Sequence, residues 1–192
     1  MTTVSLTRAA LELRKGNLVV FPTETVYGIG ALAGNSKAVK KIFQTKGRPQ
    51  KNPLIVHISS LRELNRLVAE IPEIAKKLMK RYWPGPLTLC FKKSSSLSQL
   101  VTAGLPTVCI RCPDHPVARA LLKKIGEPLA APSANLSGRP SATTGEDAQR
   151  QFKNHKGIFF LEGGASQLGL ESTILDVSTK NPTLLRPGVI SK

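Results

Sequence analysis

"IFFLEGGASQLGLESTILDVSTKNPTLLR", residues 158–186, contains three apolar or β-branched runs and no stretch of helical period. "IFFL" (158–161), "TILDV" (173–177) and "TLLR" (183–186) read as strands, separated by Gly, Ser, Asn and Pro. Upstream, strands alternate with helices. Late strands that follow one another without helices argue for a mixed sheet, so we expect an α/β fold with a mixed β-sheet and flanking helices. No repeat or low-complexity linker interrupts the chain, and residues 1–192 are expected to form one domain.

The upstream elements follow from caps and periodicity. Ser5 is placed to cap a helix carrying Leu6, Ala9, Ala10 and Leu13, stopped by Gly16. "LVVF" (18–21) reads as a buried strand and Ser36 as the cap of a helix with Val39, Ile42 and Phe43 on one face. "LIVHI" (54–58) is a strand, and Ser60 with Glu63 has capping-box spacing for a helix to about Ala69. Pro72 suits the first turn of a further helix. "LTLCF" (87–91) and "TVCIR" (107–111) are strands, Asp114 caps a helix from Pro116 to Ile125, "PLAAP" is a short strand and "GEDAQRQF" a short helix.

Composition limits the function. Lys and Arg number 28 against 12 acids, for a formal charge of +16. No acid lies between Glu24 and Glu63, nor between Glu73 and Asp114. Such a surface attracts nucleotides, RNA or anionic lipid. No apolar run approaches the roughly 20 residues of a membrane span. The N-terminus carries Glu12 and no long apolar core, so a signal peptide is not expected and a cytoplasmic protein is. Cys109 and Cys112 form a C-x-x-C on a strand, where alternation sends them to opposite faces. With no second pair to complete a zinc site, buried reduced thiols are expected.

Familiar catalytic motifs are missing. Gly28-x-Gly30-x-x-Ala33 lies seven residues past its strand, with no acid near residue 50 to hold a ribose. There is no P-loop, no G-x-S-x-G elbow, and no metal-ligand spacing among His57, His115 and His155. Four loops rich in small polar residues leave strand ends instead: "PTETVYGIGALAGN", "KGRPQKNPL", "APSANLSGRPSATTG" and "EGGASQLGLES". They can offer backbone N–H groups and hydroxyls without bulk. Lys46 and Arg48 flank Gly47 in one of them and suit phosphate oxygens, and Asn52 suits a base or sugar. His57 and Arg111 end strands, where each either reaches a cleft or is satisfied structurally. Glu24 either meets a ligand or serves as a helix cap or local salt bridge, and Tyr27 either walls the site or packs in the core.

"PTETVYGIG", "KGRP…NPLIVHI", "YWPGPLT", "APSANLSGRPSATT", "LESTILDV" and "LLRPG" together resemble the YrdC-like family, the threonylcarbamoyl-AMP synthases, in order over residues 5–189. The resemblance is to the short single-domain form. It implies a twisted sheet with a deep, electropositive concave face. It also implies a reaction: L-threonine, bicarbonate and ATP give L-threonylcarbamoyladenylate and pyrophosphate, for threonylcarbamoyladenosine at position 37 of tRNAs reading codons that begin with A. The family's Lys-x-Arg and Ser-x-Asn signature falls on Lys46, Arg48, Ser133 and Asn135, the implied catalytic residues. The resemblance sets L-threonine against Thr25, His57, Arg111, Ala131 and Ser172, and ATP against Arg48, Asn52, Thr107, Ser133, Ser141 and Arg186. Magnesium is expected through the ATP phosphates, with no metal site of the protein's own. The implied partners are a downstream threonylcarbamoyl-transferase complex and tRNA or double-stranded RNA, with no membrane. Two other readings are a basic RNA- or tRNA-binding module acting in ribosome maturation without catalysis, and a carbamoyl-transfer domain.

Overall fold

The computed structural model describes residues 2–191. Its ten strands form one sheet in the order β1-β8-β2-β3-β7-β4-β6-β5-β9-β10. In chain order the strands are β1 (Thr2–Thr3), β2 (Leu18–Phe21), β3 (Gly28–Leu32), β4 (Ile55–His57), β5 (Leu87–Lys92), β6 (Thr107–Arg111), β7 (Leu129–Ala130), β8 (Ile158–Phe160), β9 (Thr173–Asp176) and β10 (Thr183–Arg186). The helices are α1 (Leu6–Arg14), α2 (Ser36–Lys46), α3 (Leu61–Leu67), α4 (Glu73–Tyr82), α5 (Gln99–Thr102), α6 (Pro116–Ile125) and α7 (Gly145–Phe152). The sheet is mixed, as the late strands foretold: β4 pairs parallel with β6 and β5 with β9, while β5/β6 and β9/β10 are antiparallel.

Alternation along the strands divides the core in two. Leu18, Val20, Ile29, Ala31, Val56, Leu89 and Ile110 face a large cluster shared with α2, α3, α4 and α7. Val19, Phe21, Leu129 and Ala131 face a smaller cluster with Ala9, Leu13, Leu121 and Leu122 of α1 and α6. That second face is covered only on its β8-β2-β3-β7 side. Over β4, β6, β5 and β9 no helix of the described residues packs, and the face bearing His57, Cys109 and Arg111 stays open as a hollow.

Several local expectations are corrected. Residues 28–32, read as loop, form the buried strand β3 between β2 and β7. Its glycines are steric: a Cβ on Gly30 would lie 2.9 Å from the Phe21 ring. Asn35, not Ser36, caps α2, its side chain accepting from Ala38 N–H. His115, not Asp114, caps α6, with Nδ1 accepting from Val117 N–H. Pro72 sits at the cap of α4, one residue before the first turn, and α5, capped by Ser98, was not expected from the sequence. The Glu63 side chain does reach back to Ser60 N–H at 3.0 Å, although α3 ends at Leu67 rather than Ala69.

The cysteines also differ. Cys90 and Cys109 are not free thiols but a disulfide, because the β5/β6 register sets them directly opposite. Cys112 is free and packs against the larger cluster, away from the open face that carries Cys109.

Candidate active site

The hollow is a cavity of about 520 Å³ walled by strand ends and the loops beyond them. Residues from the loop after β2 (Thr23, Val26, Tyr27), the loop after α2 (Arg48, Asn52), β4 (His57), β6 (Cys109, Arg111), the loop after β7 (Ala131, Ser133) and the segment around β9 and β10 (Glu171, Ser172, Arg186) line it. Two charged groups can be told apart by depth.

The deep group centres on Arg111, which is 3% exposed. Its Nη1 donates to Thr25 Oγ1 at 2.7 Å and its Nε to Gly85 O at 3.3 Å. Its Nη2 stands 2.7 Å from Glu24 Oε1, and Glu24 is buried as well. The ion pair and the cavity contact therefore coexist: Glu24 forms the local pair, and Arg111 still lines the hollow. Thr25 is fully buried and lies behind Arg111 rather than in the wall. His57, next to Arg111 across the β4/β6 ladder, has its pKa driven down to about 3 by burial and then by the Arg111 charge, so its imidazole is neutral. His57 Nδ1, Arg111 Nη2 and both Glu24 oxygens have no hydrogen-bond partner beyond the ion pair. Tyr27 both packs and walls: its ring is buried and its hydroxyl donates to Gly164 O at 2.7 Å.

The rim group is cationic and partly exposed. Arg48 Nε donates to Asn52 O at 3.2 Å and Nη2 to Pro53 O at 2.9 Å, which ties the guanidinium to its own loop. Arg186 donates to Ser172 O and Oγ and lies 3.4 Å from Glu171. Burial lowers the pKa of both arginines, and Glu171 opposes the drop. Ser172 links the two groups, since its hydroxyl also meets Thr88 Oγ1 at 2.7 Å, and Thr88 opposes Arg111 in the ladder.

Lys46 is turned inward. It is 2% exposed, and its ammonium donates to the carbonyls of Ser133 (2.5 Å) and Asn135 and to Asn135 Oδ1 (3.4 Å). Burial, then the Arg48 charge, lowers its pKa to about 7 against the pull of Glu171. Asn135 in turn accepts from Ser133 Oγ at 2.6 Å and donates to Leu136 O and Arg139 O. The Lys-x-Arg and Ser-x-Asn segments are thus one knot that fixes the loop presenting Ser133 to the cavity.

Of the residues singled out in the sequence, Arg48, Asn52, His57, Arg111, Ala131, Ser133, Ser172 and Arg186 share the cavity wall. Thr25, Lys46 and Asn135 stand one layer behind it. Thr107 lies on the cavity face of β6 but beyond Cys109, outside the lining. Ser141 lies in an adjoining depression with Arg139 and Arg150, joined to the cavity by its 2.7 Å bond to Glu171. Glu171 itself had no role in the sequence reading. Its signal was its place at the head of "ESTILDV", where it meets both Ser141 and Arg186.

A family model described as Telomere recombination, for Sua5, YciO and YrdC, matches residues 12–188. A Bacillus subtilis protein named threonylcarbamoyl-AMP synthase is 53% identical over 97% of this chain and 54% of its own length. A Photobacterium profundum protein of the same name is 30% identical over 96% of this chain and 99% of its own. Among solved structures, P. abyssi Sua5 complexed with L-threonine superposes with a TM-score of 0.93 at 49% identity, covering 95% of this chain and 54% of that one. E. coli YciO gives 0.85 at 25% identity, covering 96% and 89%. The chain spans about half the length of the B. subtilis and P. abyssi proteins. With its signature residues knotted around one cavity and a family match across nearly its whole length, the chain belongs to the Sua5/YciO/YrdC family.

Proposed function

We propose that this chain condenses L-threonine, bicarbonate and ATP into L-threonylcarbamoyladenylate and pyrophosphate, which serves threonylcarbamoyladenosine formation in tRNA. The observation that carries the reading is the meeting, in one cavity, of a deep Arg111–His57–Ser172 group with a cationic Arg48–Arg186 rim. The names of the relatives and the L-threonine bound to the P. abyssi neighbour support it. A single sheet from whose strands and adjoining loops the cavity is built supports residues 1–192 as a single YrdC-like domain, and the rim arginines support an electropositive concave face.

In this reading the threonine amine and bicarbonate first give a carbamate with loss of water. A carbamate oxygen then attacks the α-phosphorus of ATP, and the bond to the pyrophosphate oxygen breaks. Both reactants are anions. The rim cations offset their repulsion and the charge gathering on the leaving group. Among the described wall residues, Cys109 is disulfide-bonded and the Ser133 hydroxyl is given to Asn135, so neither is set up as a covalent nucleophile. Rate then comes from alignment, which the Lys46 knot provides by fixing the Ser133 loop. Magnesium would be held mainly by the ATP phosphates. Such an ion would add charge neutralisation there.

A pyrophosphate-release assay tests the proposal: release should need L-threonine and bicarbonate together. Release driven by carbamoyl phosphate without threonine would instead support carbamoyl transfer. No release, with tight and salt-sensitive RNA binding, would favour an RNA-binding module, which the +16 charge allows.

A further inference from the structure

Glu24 is the acid that the chain's charge pattern does not explain. Between Glu12 and Glu63 it is the only carboxylate, in a chain with 28 cations, and it is 4% exposed. It does not line the cavity. It sits 2.7 Å from Arg111, the one cation among the described residues that lies deep there, and neither of its oxygens has any other partner among them. Burying two charges costs more than a surface pair returns, so such a pair is weak evidence of stability and calls for another reason.

The reason lies in the sum of charge at each end of the cavity. In the deep group Arg111 and Glu24 cancel, and His57 is neutral. At the rim Arg48 and Arg186, with Lys46 behind, face a single carboxylate, Glu171. A lone buried Arg111 would be the strongest anion trap in the cavity, because it is the most desolvated guanidinium there. Triphosphate or pyrophosphate would then compete for the deep end. Paired with Glu24, Arg111 offers a dipole. A zwitterion, with its carboxylate beside its own ammonium, matches a dipole, whereas a polyanion gains nothing from it and loses its hydration.

We propose that Glu24 is a specificity-determining positioning residue: acting through Arg111, it keeps the deep end neutral, so that an α-amino acid binds there and phosphate chains are confined to the Arg48–Arg186 rim. This rests on the function proposed above for its choice of amino acid, but its central claim, exclusion of polyanions, does not.

Calorimetric titration of the full chain tests it, with L-threonine and with inorganic pyrophosphate as probes. Glu24→Gln is expected to bind L-threonine roughly tenfold more weakly and to gain a pyrophosphate site that Arg111→Gln, added in the same chain, removes. Glu24→Asp keeps the charge and is expected to restore the wild-type preference, which a merely structural role for the Glu24 side chain would not demand. A folded Glu24→Gln protein that gains no pyrophosphate site overturns the proposal, and so does a folded Glu24→Asp protein that gains one. If the wild-type chain ignores L-threonine, the synthase reading falls, and the pyrophosphate arm still decides the role of Glu24.

Discussion

His57 shows how a single residue records the cavity's environment. Burial and the adjacent Arg111 hold its pKa at about 3, against 6.5 for the free side chain. Between those values the unfolded chain binds a proton that the folded chain refuses, so stability rises with pH across the window and is lost as pH falls through it. The slope from this group reaches at most about 1.4 kcal/mol per pH unit. Urea titrations from pH 7 to pH 4 should show wild type losing stability faster than His57→Gln, and parallel curves would refute the neutral, buried imidazole. Lys46 sets a different contest. Lys46→Met removes the desolvation of a buried ammonium but leaves the carbonyls of Ser133 and Asn135 without their donor. An orphaned buried acceptor costs about 1–3 kcal/mol and the variant creates two, while a pKa of about 7 leaves the folded amine half charged at pH 7 and the relief partial, so a net loss of stability is expected there. A variant as stable as wild type in denaturant would mean that the ammonium does not hold the knot. The inward turn of this side chain was not legible in "KGR". A cation in a loop reads as free for phosphate until the carbonyls opposite it are located, and those come from residues almost ninety positions away.

At the scale of elements, the sequence was clearest where side chains carry the signal and mute where backbone does. The runs "LVVF" and "TVCIR" became β2 and β6 as read. "GIGAL" did not read as a strand, because glycine lowers strand preference when no neighbour is known. Only the fold reveals that the Phe21 ring lies across Gly28 and Gly30 and leaves no room for a Cβ on Gly30. The caps were misplaced by one residue because Asn35–Ser36 and Asp114–His115 each offer two competent acceptors, and backbone geometry chooses between them. Pairing of Cys90 with Cys109 needed the β5/β6 register, which no spacing of cysteines supplies. That link joins residues 19 positions apart and removes entropy from the unfolded chain worth about 3 kcal/mol. Denaturation with and without a dithiol reductant should therefore differ by about that amount, with two thiols gained by mass after alkylation. Three free thiols in the unreduced, denatured protein would show that the bond does not form.

The whole molecule carries +16, yet its cavity is not uniformly positive, and salt can separate the two conditions. The Debye length is about 10 Å at 0.1 M ionic strength and falls as salt rises. A nucleotide approaching the Arg48–Arg186 rim feels both that rim and the summed surface charge, and both are partly exposed to mobile ions. A zwitterion carries no net charge to be steered, and the Arg111–Glu24 pair it meets is buried from those ions. Under the function proposed above, raising salt from about 50 to about 300 mM should thus raise the KM for ATP several-fold while that for L-threonine moves less than about twofold. The location of cations along the chain was legible in the sequence. Their division into a compensated deep end and a rim where two arginines share one carboxylate was not, because it depends on which of the 12 acids is folded back against which arginine. If both constants rise together, the amino acid is being drawn in by the same field as the nucleotide, and the cavity is one cationic basin rather than two electrically distinct ends.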